Sequence, residues 1–244
     1  MRPLPTPMDI DRVPPIPEAG LLLKGDFPMN YKAVLFDLDG TLLDTIEDLT
    51  DSMNAALDRL GFPGHTAETC KKFVGDGMEM FALRALPESH RDDATVARCA
   101  AHMRAVYRER WSLKTRPYDG VPELLDGLTL RHLKMAVLSN KPDDSTKAMV
   151  AELLSKWRFD HVTGARPSVP KKPDPTLAIE ISKELDIPPE KFLYLGDTGT
   201  DMKTAAATGM FPVGALWGFR TADELRATGA AVLIDHPTKV LHLL

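Results

Sequence analysis

The sequence predicts an α/β protein: a doubly wound, Rossmann-like parallel sheet with an all-helical domain inserted after its first strand. Three observations predict it. Ala33–Phe36 is a near-continuous apolar run closed by Asp37, as expected of a strand buried on both faces of a parallel sheet. Residues from about 46 to 115 carry helical periodicity alone. From Val121 onward, helix-like and strand-like segments alternate, the pattern of βαβ units.

Taken in order, residues 1–29 form a proline-rich tail carrying Pro3, Pro5, Pro7, Pro14, Pro15, Pro17 and Pro28, which favour extended backbone and withhold donors. Leu21–Leu23 is its only apolar cluster, too short for a signal-peptide core. A translation start at Met29 would begin the chain just before the first strand. After Thr45, Leu49, Met53, Ala56, Leu57 and Leu60 recur at helix spacing until Gly61 and Pro63 stop the helix. A short helix over Thr66–Phe73 follows, then one carrying Met78, Phe81, Leu83 and Leu86, then a long one from about Arg91 to Trp111.

Beyond the Arg116–Gly120 linker, a helix with Leu124, Leu125 and Leu128 leads to a strand over Lys134–Leu138. A helix from Pro142 to about Trp157 precedes a strand near Phe159–Val162. Leu177, Ile181 and Leu185 mark the next helix, and Lys191–Leu195 the next strand. The remaining elements are a helix over Asp201–Ala207, a strand over Phe211–Leu216, a helix over Thr221–Ala227 and a strand over Ala231–Ile234. The expected division is a core of residues 30–45 and 116–244, with 46–115 as the helical insert.

Composition narrows the function classes. The net charge of −5 over 244 residues gives no general reason to bind nucleic acid or an anionic membrane. Cys70 and Cys99 share no metal-ligand spacing, so free thiols in a reducing, cytoplasmic compartment are expected. No apolar run reaches membrane-spanning length. Monomer and homodimer both remain open.

The chemistry-bearing residues stand at the ends of the expected strands. Asp37 and Asp39 close the first, Ser139 and Asn140 the next, and Asp197 with Asp201 a third. Lys171-Lys172-Pro173-Asp174-Pro175 opens a helix between the last two. Each set alone reads as a turn, a solvated pair or a helix cap. Together they converge on one sheet edge, at the carboxyl ends of strands, where open α/β sheets bind ligands. Carboxylates at a buried strand end are costly without a cation or donors.

In these motifs the chain resembles the phosphatases of the haloacid dehalogenase superfamily, close to the phosphoglycolate phosphatases. DLDGTLLDT resembles the family's first motif, LSNK the second, KKPDP the third and GDTGTD the fourth, in order over about residues 31–235. The helical insert resembles the family's mobile cap. The resemblance implies a Mg²⁺-dependent phosphatase that works through an aspartyl phosphate. Asp37 is then the nucleophile, since a carboxylate attacking phosphorus splits a hard hydrolysis into two steps. Asp39 is general acid to the leaving alcohol and then base to the attacking water. Mg²⁺ takes hard oxygen ligands and relieves the repulsion between carboxylate and phosphate. Its expected ligands are Asp37, Asp197 and, from the resemblance alone, the backbone carbonyl of Asp39. Asp201 is expected to orient Lys172 or a metal-bound water rather than touch the ion. Ser139 and the Asn140 N–H are expected to hold phosphate oxygens with Lys172, which the K-P-x-P arrangement selects over Lys171.

Gly75-Asp76-Gly77 is the expected substrate-facing loop of the cap. Arg84 offers bidentate pairing to a substrate carboxylate, against the alternative of a solvated face. Hinges are expected near Thr45–Asp48 and Thr115–Gly120. His65 and His161 lack metal-site company. The substrate expected first is 2-phosphoglycolate. Pyrophosphate and nucleoside monophosphates are the alternatives, ahead of a phosphosugar mutase, for which no cap signature follows Thr45. Intact acids, serine and lysine argue against a silent scaffold.

Overall fold

The computed structural model describes residues 30–244, so the proline-rich segment with Leu21–Leu23 and Met29 lies outside the described residues. The strands in chain order are β1 (Ala33–Phe36), β2 (Leu43–Asp44), β3 (Arg116–Pro117), β4 (Lys134–Pro142), β5 (His161–Ala165), β6 (Phe192–Gly196), β7 (Phe211–Ala215) and β8 (Val232–Ile234). Six of them form one parallel sheet in the order β5-β4-β1-β6-β7-β8. β1 pairs Ala33 with Lys134 on one side and with Phe192 on the other. The chain grows from β1 toward β5, then crosses back to build β6 to β8. The crevice where the order reverses lies between the carboxyl ends of β1 and β6.

Every residue of β1 is fully buried, which explains its unbroken apolar run. Alternate side chains serve opposite layers, as the two-residue period of a strand requires. Val34 and Phe36 pack with Leu124, Leu125 and Leu128 of α5 (Val121–Leu130) and Met149 of α6 (Asp143–Leu153). Ala33 and Leu35 pack with Leu177 and Ile181 of α7 (Thr176–Glu184) and Ala205 of α8 (Gly199–Thr208). The last helix, α9 (Ala222–Ala227), buries Leu225 against Met202. The fold is therefore the doubly wound α/β architecture that the alternation predicts.

Between β2 and β3 run the four helices α1 (Ile46–Arg59), α2 (Ala67–Lys71), α3 (Met78–Ala85) and α4 (Asp93–Arg110). They build a core of their own, with Met53, Leu57, Phe81, Cys99 and Met103 at its centre. Phe219, from the loop after β7, is the one sheet-side residue in that cluster. Cys70 and Cys99 are free and buried. Both chain crossings between the helices and the sheet pass through the β2–β3 ribbon, where Leu43 faces Pro117 and Asp44 faces Arg116.

Three boundaries and one small ribbon differ from the sequence expectation. β4 continues through Ser139, Asn140 and Lys141 to Pro142, because the polar residues there are buried and not in an open turn. β5 starts at His161; just before it Asp160 is tied to Met135, its N–H donating to the Met135 carbonyl at 2.7 Å and its side chain accepting the Met135 N–H at 3.2 Å. α6 ends at Leu153; Trp157 closes a turn onto the Leu154 carbonyl, and its indole donates to Asp126 at 2.7 Å. The β2–β3 ribbon is too short to leave a periodic signal in the sequence. No helix among the described residues is long and apolar enough to cross a membrane.

Candidate active site

Asp37 extends β1 by one ladder bond, its N–H donating to the Leu195 carbonyl at 2.9 Å, and so its carboxylate is fixed beside the end of β6. Asp37 Oδ1 accepts Lys172 Nζ at 2.8 Å. The same ammonium donates to Asp201 Oδ1 at 2.7 Å and to the Leu138 carbonyl at 3.0 Å, which uses all three of its donors. Asn140 sets the position of Lys172. Its Oδ1 accepts the Lys172 N–H at 2.9 Å and its Nδ2 donates to the Lys172 carbonyl at 3.1 Å. Lys171 is exposed, as the choice between the two lysines requires.

Asp197 is fully buried at the end of β6 and has only uncharged donors: the Thr41 hydroxyl at 2.9 Å and the Phe219 N–H at 2.8 Å. Two glycines make room for it. A Cβ on Gly40 would collide with the Asp197 carboxylate, and Gly40 holds φ +86° in the turn after Asp39. A Cβ on Gly218 would likewise collide with Asp197, and with the Gly40 carbonyl. Asp201 is also fully buried. Its Oδ2 accepts the Thr198 N–H and hydroxyl in a capping box at the start of α8, while Oδ1 faces Lys172 and the Tyr194 hydroxyl.

The electrostatics call for a further cation. Oxygens of Asp37, Asp197 and Asp201 lie within 4.8 Å of one another. Burial pushes the Asp37 carboxyl well above the usual range, and the charge of Asp201 adds to it. Burial, with Asp201 second, raises Asp197 to about 7. Burial works against the Lys172 charge, but Asp201 and Asp37 outweigh it and hold the ammonium well above its ordinary value. One ammonium thus faces three carboxylates, an imbalance that a divalent ion corrects. The donor set is wholly hard oxygen, which fits Mg²⁺. Asp37 Oδ2 takes no hydrogen bond among the described residues, whereas both oxygens of Asp201 are engaged by donors.

Asp39 stands two residues after Asp37 on the same turn and binds Lys141 Nζ through Oδ1 at 3.0 Å. Lys141 also donates to the Tyr107 hydroxyl of α4 at 2.9 Å and lies 4.6 Å from that ring's centroid. Burial pushes Tyr107 up to about 12, so its hydroxyl stays protonated at neutral pH. Ser139 is buried, lines the same cavity and accepts the Lys141 N–H at 3.2 Å.

The Gly75-Asp76-Gly77 loop reaches the site. The Gly75 carbonyl accepts Asn140 Nδ2 at 3.1 Å, and Asp76 accepts the Thr200 hydroxyl at 3.2 Å. Arg220, after β7, grips the backbone ahead of that loop at the carbonyls of Lys71 and Val74. Arg84 does not line the cavity, and its side chain stays 32% exposed. It is bonded to Asp76 at 2.5 Å and to the Phe73 carbonyl at 3.0 Å. The cavity, about 60 Å³ and open to solvent, has Asp37, Asp39, Ser139 and Lys141 on one side, with Val74 and Phe81 among its apolar wall. His65 bonds the Ala85 carbonyl and His161 pairs with Glu184, both remote from these residues.

The structure therefore brings Asp37, Asp39, Ser139, Asn140, Lys172, Asp197, Asp201 and the glycine loop together at one sheet edge. The sequence reading missed Thr41, Tyr107, Lys141 and Arg220. The lysine of LSNK stood in view, but its burial arises only when α4 packs over it. Arg220 lacks any local signal, since its acceptors are backbone carbonyls.

Comparison with known proteins gives the geometry a context. The family described as haloacid dehalogenase-like hydrolase matches residues 34–215. The phosphoglycolate phosphatase of Aquifex aeolicus is 30% identical over 188 residues, covering 77% of this chain and 86% of that protein. The phosphoglycolate phosphatase of Nitrosospira multiformis is 34% identical over 188 residues, covering 75% and 82%. Among solved structures, a protein from Lactobacillus delbrueckii subsp. bulgaricus superposes with a TM-score of 0.83 at 31% identity, over 88% of this chain and 98% of its own.

Proposed function

The chain belongs to the haloacid dehalogenase-like hydrolases, and from that premise we propose that it is a Mg²⁺-dependent phosphomonoesterase with 2-phosphoglycolate as its first-choice substrate. The observation that carries this reading is Lys172, shared between Asp37 and Asp201 beside the cation-poor Asp197. The names borne by the relatives from Aquifex aeolicus and Nitrosospira multiformis support the substrate. So does the small cavity of about 60 Å³, which suits a short leaving group.

Asp37, Asp197 and the Asp39 carbonyl would hold Mg²⁺, which supplies charge neutralisation between the carboxylates and the phosphoryl oxygens. Asp37 attacks phosphorus; the P–O bond to the alcohol breaks, and Asp39 gives its proton to the departing oxygen. Asp39 then removes a proton from water, whose oxygen attacks phosphorus and returns Asp37 as a carboxylate with release of inorganic phosphate. Ser139 and the Asn140 N–H donate to the phosphoryl oxygens, and Lys172, whose three donors are held by Asp37, Asp201 and the Leu138 carbonyl, stabilises the developing charge through its own positive charge beside Asp37. Asp201, bonded to Lys172 at 2.7 Å, keeps that ammonium aimed at Asp37. The Gly75–Gly77 loop closes the site from the helical side and limits the size of the leaving group. Residues 46–115 act as the cap and 30–45 with 116–244 as the catalytic core, hinged at Thr45–Asp48 and Thr115–Gly120.

The test is a panel of phosphate esters, pyrophosphate and nucleoside monophosphates, assayed with and without Mg²⁺ for wild type and Asp37→Asn. Metal-dependent turnover of 2-phosphoglycolate above the rest, abolished in Asp37→Asn, is the expected result. Absence of metal-dependent turnover on every ester would sink the reading.

A further inference from the structure

Lys141 is a buried cation that the chemistry above leaves without a task. Its side chain is 5% exposed at the end of β4. An ammonium carries three donors. One goes to Asp39 and one to the Tyr107 hydroxyl. The third has no acceptor among the described residues, and Lys141 lines the cavity. It is the only cation in that lining. The nearby arginines are committed elsewhere, Arg84 to Asp76 and the Phe73 carbonyl, Arg220 to the carbonyls of Lys71 and Val74. Lys171 is exposed and does not line the cavity.

Its position relative to Asp39 decides which part of a substrate it meets. Asp39 must reach the ester oxygen to protonate it. Lys141 is bonded to Asp39 Oδ1 at 3.0 Å, so its ammonium falls within about 6 Å of an ester oxygen that meets Oδ1 and within about 8 Å of one that meets Oδ2. A carboxylate on the carbon next to the ester oxygen extends into this interval. The apolar wall, Leu49, Val74, Met78 and Phe81, offers no competing polar side chain. An alkyl group there would offer the third donor no acceptor, which penalises it relative to a carboxylate.

We propose that Lys141 is the specificity-determining residue of this site, its ammonium binding a carboxylate carried one carbon from the ester oxygen. The substrate class is then the phosphate ester of a small 2-hydroxy acid. This inference rests on the phosphomonoesterase reading.

Two non-hydrolysable phosphonates matched in length test it: 3-phosphonopropionate, which carries the carboxylate, and propylphosphonate, which ends in a methyl group. Their affinities are measured by calorimetry with Mg²⁺ present, alongside turnover of a simple aryl phosphate. Wild type should prefer the carboxylate about 10- to 100-fold, the range of a hydrogen bond to a charged group. Lys141→Met should abolish the preference and Lys141→Arg should retain it. Lys141→Gln keeps a donor without the charge and replaces Lys141→Met if that variant does not fold. A wild type that binds both phosphonates equally while hydrolysing esters overturns the inference alone. So does an equal loss for both phosphonates in Lys141→Met, which would make the lysine only a tether for Asp39 and Tyr107. Binding of neither phosphonate, with no ester turnover, overturns the underlying reading as well.

Discussion

Lys172 shows how much one side chain decides at the residue scale. It alone carries positive charge between Asp37 and Asp201, and its own backbone is clamped by Asn140. Lys172→Ala should lower kcat roughly a hundred- to a thousand-fold, the range for a lost transition-state donor. Lys171→Ala should change it little, because Lys171 is exposed. Steady-state kinetics on the two variants, with circular dichroism to establish folding, makes the comparison; equal and small effects would reverse the assignment. The preference for Lys172 was legible because it directly precedes Pro173 in a recognisable motif. Lys141 was not legible, since nothing in Ser-Asn-Lys tells a solvated lysine from one walled in by Tyr107 and Asp39.

Among the elements, the β2–β3 ribbon and the first turn of α1 do work that periodicity could not reveal. Two-residue strands carry no alternation to detect. Asp48, in that turn, is fully buried, and its Oδ2 accepts the N–H groups of Lys114 and Thr115 and the Thr115 hydroxyl, at 2.9, 2.8 and 2.8 Å. It staples one crossing of the chain to the other at the expected hinge. Asp48→Ala should cost about 2–4 kcal/mol, because it leaves buried donors without an acceptor. Asp48→Asn keeps an acceptor and should lose less. Urea denaturation measures both, and a variant as stable as wild type would show that water replaces the carboxylate. The long helices and core strands, by contrast, were legible in kind and order, since each buries an apolar face or run, although β4 and α6 end about four residues from where the pattern put them.

For the molecule as a whole, the buried acids tie stability to pH and metal together. Asp197 is raised to about 7 when folded, whereas an unfolded aspartate loses its proton near pH ~4. Between these values the metal-free folded state holds the extra proton, so its stability falls as pH rises. A cation that binds the ionised carboxylates reverses this, because ligand binding to the folded state adds stability by mass action. Mg²⁺ should therefore raise Tm most above pH ~7, and the rise should shrink as pH falls through that value. Thermal melts with Mg²⁺ and with EDTA across pH 5–8 provide the check; a shift independent of pH would place the ion elsewhere. The sheet order was legible only as far as alternation implies parallel strands, because the pairing of β1 with both β4 and β6 is a long-range fact.

That pairing has a consequence for the chain as it is made. β1 leaves the ribosome before any other strand of the large sheet, yet Ala33 finds its first neighbour in Lys134 and its second in Phe192. The four helices between β2 and β3 are complete long before either partner exists. Asp37 meets Lys172 only after four-fifths of the interval to Asp197 has been translated, and the Phe219 N–H that steadies Asp197 comes later still. Nascent chains therefore carry an apolar central strand that waits about 100 residues for its first sheet neighbour and longer for its second, a window in which it is exposed to wrong pairing.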